Sequence, residues 1–168
     1  MTKNEIHQLF LSFRSRYRSS GRPVRVNFRK LVPELNGCDR FTHLIHAYPA
    51  KLLNIIPYFF FQTEDFCPNN GLVLDPFCGT GTVLLEANLS GRNALGADAN
   101  PLARLITAVK TTYIPHDRLL KEIDALVENA KKSKSKLTWK TEIIDYWFSQ
   151  NVISQLEKIR VAIDGVKK

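Results

Sequence analysis

Apolar positions along this chain recur at three- and four-residue spacing in several stretches and crowd into short runs in two others. Ile6, Leu9, Phe10 and Phe13 predict a helix over residues 4–13. Ser19-Ser20-Gly21-Arg22-Pro23 interrupts that pattern and predicts a loop. Residues 24–35 fit neither period, and residues 39–48 read as an irregular segment. Pro49 predicts the opening of a helix with Leu52, Leu53, Ile56 and Phe60 on its apolar face, and Pro57 predicts a kink in it. Cys67-Pro68-Asn69-Asn70-Gly71 reads as a loop. The run Leu72-Val73-Leu74-Asp75 then predicts a short buried strand. A helix over about 82–89 follows and stops at Ser90-Gly91. Residues 93–98 predict a second short strand that ends in an acid. Asn100 as cap and Pro101 at the first position predict another helix, with Leu102, Leu105, Ile106 and Val109 as its buried face. Pro115 ends that region. Leu119, Leu120, Ile123, Leu126 and Val127 predict a helix over about 116–132, and residues 133–136 are a polar break. A last helical region over about 143–166 carries Ile144, Trp147, Phe148, Val152, Ile153, Leu156, Ile159 and Ile163. There is no internal repeat.

The centre of the pattern is the candidate chemistry. Strand, glycine loop, helix, strand and acid in that order predict an α/β fold built on the first half of a doubly wound nucleotide-binding sheet. Gly79 and Gly81 let the backbone turn tightly and approach a ligand. Asp98 lies 17 residues past Gly81, near the spacing at which this fold places a ribose-binding acid. The loop has no third glycine, and it lacks the Lys-Ser/Thr of a phosphate loop. Asp75 at the strand end would repel a pyrophosphate and suits an ammonium or sulfonium. Electrostatics therefore favour S-adenosyl-L-methionine (SAM) over NAD or ATP. Thr80 and Thr82 are open to a second reading as helix caps.

Composition narrows the class. The chain has 168 residues, 44% hydrophobic and 24% charged, which suits one soluble domain and argues against wholesale disorder. No apolar run approaches the ~20 residues of a membrane helix, and no signal-type segment follows the N-terminus, so the expected compartment is the cytoplasm. Cys38, Cys67 and Cys78 form no C-x-x-C pair, which supports reduced thiols and neither a zinc site nor a disulfide framework. The net charge of +8 is uneven. Residues 1–30 hold eight basic residues against Glu5 alone. Arg14, Arg16, Arg18, Arg22 and Arg25, with Phe13 and Tyr17 interleaved, are candidates for phosphate contact with nucleic acid. The lysine run from Lys131 to Lys140 reads as a solvated face.

Three segments carry a family resemblance. Asp75-Pro76-Phe77-Cys78-Gly79-Thr80-Gly81-Thr82 resembles the SAM-binding motif of amino-group methyltransferases acting on nucleic acid. Arg40-Phe41-Thr42-His43-Leu44-Ile45-His46-Ala47-Tyr48-Pro49-Ala50-Lys51 resembles the motif preceding it in bacterial DNA methyltransferases of restriction-modification type. Gly91 to Ala103 resembles the strand that follows, with its ribose-binding acid. The resemblance covers roughly residues 24–112, and more loosely Tyr146-Trp147-Phe148. It implies a Rossmann-like SAM-dependent methyltransferase sheet, of which this chain holds the first half with extra N- and C-terminal helices. It implies cofactor contacts from Asp75, Pro76, Phe77, Gly79, Thr80 and Gly81, a ribose held by Asp98, and an adenine pocket shaped by Asn100 and Pro101. His46, Tyr48, Pro49, Ala50 and Lys51 are implied against the methionine end. His43 reads as a structural hydrogen-bonder.

In that family the catalytic loop is an Asp/Asn/Ser-Pro-Pro-aromatic tetrapeptide, and no Pro-Pro pair occurs in these 168 residues. The resemblance would place it past residue 168. The expectation is a cofactor-binding portion of an enzyme that methylates the exocyclic amino group of adenine or cytosine in duplex DNA. A second chain or a C-terminal half would supply the catalytic loop. Residues 1–38 form the basic N-terminal segment, 39–115 the SAM-binding half-domain and 116–168 a helical region suited to docking. Two alternatives stay open: a fragment of an RNA guanosine methyltransferase, and a non-catalytic nucleic-acid-binding subunit that keeps a SAM fold.

Overall fold

The computed structural model describes residues 2–31, 41–49, 51–133 and 143–166. They form two compact units, residues 1–113 and 114–168. Cys38, Arg40, Ala50, Lys134, Lys136 and Lys140 lie outside the described residues.

The first unit opens with α1 (Lys3–Ser20), longer than periodicity alone marks out. A capping box starts it: the Thr2 hydroxyl accepts from the Glu5 amide, and the Glu5 carboxylate accepts from the Thr2 amide. Gly21, at φ 60°, ends it by donating to the Tyr17 carbonyl, so the serines read as loop are its last turn. Ile6 and Phe10 pack with Phe59 of α3 (Ile55–Phe61) in an aromatic core that Phe28 of α2 (Phe28–Leu31) joins. The α3 helix begins at Ile55, not at Pro49. Pro57 is then its third residue, where a missing N–H breaks no intrahelical bond.

β1 (Leu72–Asp75) and β2 (Asn93–Gly96) pair in parallel, with Leu72 opposite Asn93 and Asp75 opposite Gly96. They make a mixed α/β unit, mostly helical, with a two-stranded sheet among the described residues. α4 (Thr82–Leu89) connects them and buries Leu84, Leu85 and Ala87. Val73 and Ala94 are half-buried, whereas Leu72, Leu74 and Leu95 are 64%, 68% and 57% exposed. Strand period places the last three on one face, opposite Val73 and Ala94.

α5 (Pro101–Thr111) starts as its residues dictate, with the Asn100 Oδ1 accepting from the Leu102 amide and Pro101 in the first turn. Its buried stripe differs from the predicted one. Ala103, Ile106, Thr107 and Lys110 are buried, while Leu102, Leu105 and Val109 are exposed. Ala103 is fully buried, the small Thr107 side chain lies against Gly81 of the glycine loop, and the leucines look outward.

The second unit holds α6 (His116–Lys132), α7 (Ile144–Trp147) and α8 (Gln150–Asp164). The expected last helix is two helices, because Phe148 and Ser149 take extended backbone and Ser149 opens α8. Ala130, Ile153 and Ala162 are buried there. No helix among the described residues is long and apolar enough to cross a membrane.

Candidate functional site

The loop after β1 is shaped by local bonds. The Asp75 Oδ1 accepts from the Phe77 amide at 3.1 Å, turning the chain out of the strand. Gly79 and Gly81 have φ of 51° and 75°, left-handed values that favour glycine. The loop is also tied sideways to β2: the Cys78 amide donates to the Ala97 carbonyl at 2.9 Å. The Asp98 Oδ2 accepts from the Gly79 amide at 2.8 Å, and its Oδ1 accepts from the Asn100 amide at 2.8 Å. From below, the Thr107 hydroxyl donates to the Gly79 carbonyl at 3.0 Å. A Cβ at Gly81 would stand 2.8 Å from Thr107 Cγ2, so helix and loop touch with no room for a side chain. Thr80 and Thr82 are buried, and the N-cap of α4 is Gly81, with no side-chain cap bond. The capping alternative for these threonines therefore does not hold.

A cleft of about 440 Å³ opens above this loop. Tyr48, Lys51, Asp75, Phe77, Gly79 and Thr80 line it, together with Leu52, Leu74, Cys78, Thr82 and Val83, which the sequence reading did not select for the site. Phe77 is 87% exposed, a bare ring at the cleft wall. Tyr48 is anchored across the site: its hydroxyl accepts from the Asn100 Nδ2 at 3.0 Å. Asp98 and Asn100 therefore adjoin the cleft through their bonds to Gly79 and Tyr48. His46 and Pro49 are exposed on the preceding segment and do not line the cleft, nor do Pro76, Gly81 and Pro101. Burial pushes the Cys78 thiol up from its ordinary value, with the charges of Asp75 and Asp98 adding to the shift and the Thr107 hydrogen bond opposing it.

The arginines divide. Arg14 pairs with Asp65 at 3.4 Å and lies over the Phe10 ring at 5.5 Å. Arg16, Arg22 and Arg25 line an open hollow of about 510 Å³ around the end of α1, and Arg18 is exposed outside it.

Residues 63–110 match the family described as DNA methylase. The chain belongs to this DNA methylase family. The match runs from just past α3 through β1, the glycine loop, α4 and β2 to Lys110 of α5. It thus includes Asp75, Asp98 and Thr107, and it stops short of Tyr48 and Lys51. Among relatives, the chain is 31% identical over 134 residues to a Type II methyltransferase, M.MvaI, of Kocuria varians, covering 73% of this chain and 29% of that protein. It is 26% identical over 131 residues to the Type II methyltransferase M.MjaII of Methanocaldococcus jannaschii, covering 62% of this chain and 24% of that protein. The aligned part of this DNA methylase chain therefore spans under a third of the length of either relative. No solved structure matches.

Proposed function

We propose that the cleft binds SAM and that the chain is the cofactor-binding portion of a cytoplasmic DNA methyltransferase acting on the exocyclic amino group of adenine or cytosine. The observation that carries this is the convergence of Tyr48 and Lys51 with Asp75, Phe77, Gly79 and Thr80 on one cleft, beside an acid that braces the loop. Lys51 and Asp75 bring opposite charges to the cleft, which suits the zwitterionic amino-acid end of the cofactor. Asp98 retains lone pairs beyond those its two amide bonds use, so it can still accept ribose hydroxyls. SAM supplies a methyl group on a sulfonium. The chain's part is to fix its orientation, so that an amino nitrogen of a flipped base meets the methyl in line. His46, Pro49, Ala50, Pro76, Gly81, Asn100 and Pro101 shape the surroundings of the cleft in this reading.

The acceptor groups for the target amine come from sequence outside these residues, in the same polypeptide or in a second chain. The lack of any Pro-Pro pair supports this, as do three leucines exposed on one sheet face. Such a face is suited to further elements of a larger sheet. Arg16, Arg22 and Arg25 contact DNA phosphates. Calorimetric titration of the purified 168-residue chain with SAM, NAD and ATP tests the cofactor reading, with heat expected for SAM alone. Equal binding of ATP would overturn it. Methylation of duplex DNA by this chain unaided would overturn the missing-acceptor reading. Methyl transfer by the longer enzyme to tRNA in preference to DNA would overturn the choice of substrate.

A further inference from the structure

His43 and Glu86 form a pair that the cofactor reading leaves unused. Both side chains are fully buried, and His43 Nε2 lies 2.9 Å from Glu86 Oε1. His43 sits in a 3-10 turn, Phe41–Leu44, and Glu86 in the middle of α4, directly behind the glycine loop. The neighbouring Thr42 hydroxyl donates to the Lys110 carbonyl of α5 at 2.8 Å, so the turn is fixed to a second helix. From the turn the chain reaches the cleft. The His43 carbonyl accepts from Lys51 Nζ at 3.0 Å, and Lys51 and Tyr48 form part of the cleft wall. A buried polar contact thus connects the helix behind the cofactor loop to the segment that faces it.

We infer that His43 and Glu86 are positioning residues, a latch that holds Tyr48 and Lys51 over the cleft and so sets affinity for the amino-acid end of the cofactor. Two apolar side chains of like volume would fill the same space without the cost of desolvating a polar pair. A directed bond adds one register for the turn on α4, and that register fixes the His43 carbonyl to which Lys51 is tied. The inference rests on the cofactor reading of the cleft for its ligand, and on geometry alone for the latch.

The test uses the whole chain with His43→Leu and Glu86→Leu, and with His43→Gln and Glu86→Gln, which keep a polar atom at the contact. SAM and adenosine are titrated into each by calorimetry, since adenosine lacks the end that Lys51 would face. The leucine variants are expected to bind SAM roughly tenfold more weakly, the scale of one lost hydrogen bond, with adenosine affinity held within about twofold. The glutamine variants are expected to retain SAM binding. Equal weakening toward both ligands, or none, would overturn the latch. Amide exchange supplies a readout independent of any ligand: residues 44–49 should exchange faster in His43→Leu while α4 stays protected. Unchanged exchange, or exposure of both together, would overturn the latch as well. A wild-type chain that binds no SAM would count against the cofactor reading, and the exchange result would still decide the latch.

Discussion

Asp98 Oδ2 accepts a hydrogen bond from the backbone N–H of Gly79 at 2.8 Å, so the acid after β2 braces the loop after β1. Its other oxygen accepts from the Asn100 amide. The carboxylate therefore has a structural task in the unliganded chain. Asp98→Ala should lower the stability of the unliganded chain by about 2 kcal/mol, since hydrogen bonds to a charged acceptor are lost. Asp98→Asn keeps one acceptor and should cost roughly half as much. Urea titration in the absence of cofactor checks this, and wild-type stability in Asp98→Ala would leave the acid with no bracing role.

Gly81 answers for both conformation and space. Its φ is 75°, and a Cβ there would lie within 3.1 Å of three Thr107 atoms. Gly81→Ala should destabilise the fold by about 1–3 kcal/mol through left-handed strain plus overlap. Adding Thr107→Ala should relieve the overlap and leave the strain, so the double variant is expected to recover part of the loss. A thermal melt of the two variants, with Thr107→Ala alone as reference, separates the contributions.

Cys78 offers a pH signature. Burial raises its pKa above the ordinary thiol value of 9.0, so the folded state holds the proton where the unfolded chain releases it. The contribution to stability is complete below the unfolded pKa. It is lost progressively as pH climbs through the folded value. Stability should therefore decline above about pH 9, and Cys78→Ala should flatten that decline. Alkylation at pH 8 followed by peptide mapping should label the partly exposed Cys67 well before Cys78. Faster labelling of Cys78 would contradict the burial of this thiol.

The exposed sheet face has a solubility consequence. Leu74→Thr with Leu95→Thr should change folding stability by under about 0.5 kcal/mol, because both leucines are more than half exposed. The same pair should reduce self-association of the isolated chain, as seen by light scattering. A large loss of stability would mean that this face is covered in solution.

Binding to duplex DNA should read the arginines apart. Arg16→Ala, Arg22→Ala and Arg25→Ala should each weaken binding and shallow the salt dependence by about one unit of slope. Arg14→Ala should leave the slope close to that of the parent, since its charge is already matched by Asp65. Equal effects from all four would make the basic segment a diffuse field with no preferred contacts.

The strand, loop and helix of the candidate site are legible because each is marked by its own residues. Leu72 to Asp75 is a compact apolar run, the left-handed turns need Gly79 and Gly81, and Asn100-Pro101 is a helix start by chemistry alone. The buried side of α5 was not legible. Periodicity reports where the apolar residues lie, and here Leu102, Leu105 and Val109 are exposed while Ala103 is buried and Thr107 makes the close contact with Gly81. The stripe Ala103, Ile106, Thr107, Lys110 has helical spacing too, and only the small residues in it hinted at close packing. His43 is legible as a structural hydrogen-bonder, but its partner Glu86, separated from it by 43 residues, has no local signal. The start of α3 was misplaced because Pro49 and Pro57 both satisfy the rule for a first turn.

The crossover between β1 and β2 spans only residues 76–92, and the acid that braces the loop follows within six more. The bond that ties the glycine turn to Asp98 closes a loop of 19 residues, and the Thr107 bond closes one of 28. Low contact order of this kind makes for early folding, since little chain entropy is spent on closing so short a loop. During synthesis the turn can take shape while later parts of the polypeptide are still being made, and pulse-labelled exchange should find the β1, α4 and β2 amides protected ahead of α1. The glycine turn is then expected to form ahead of the structure that assembles around it.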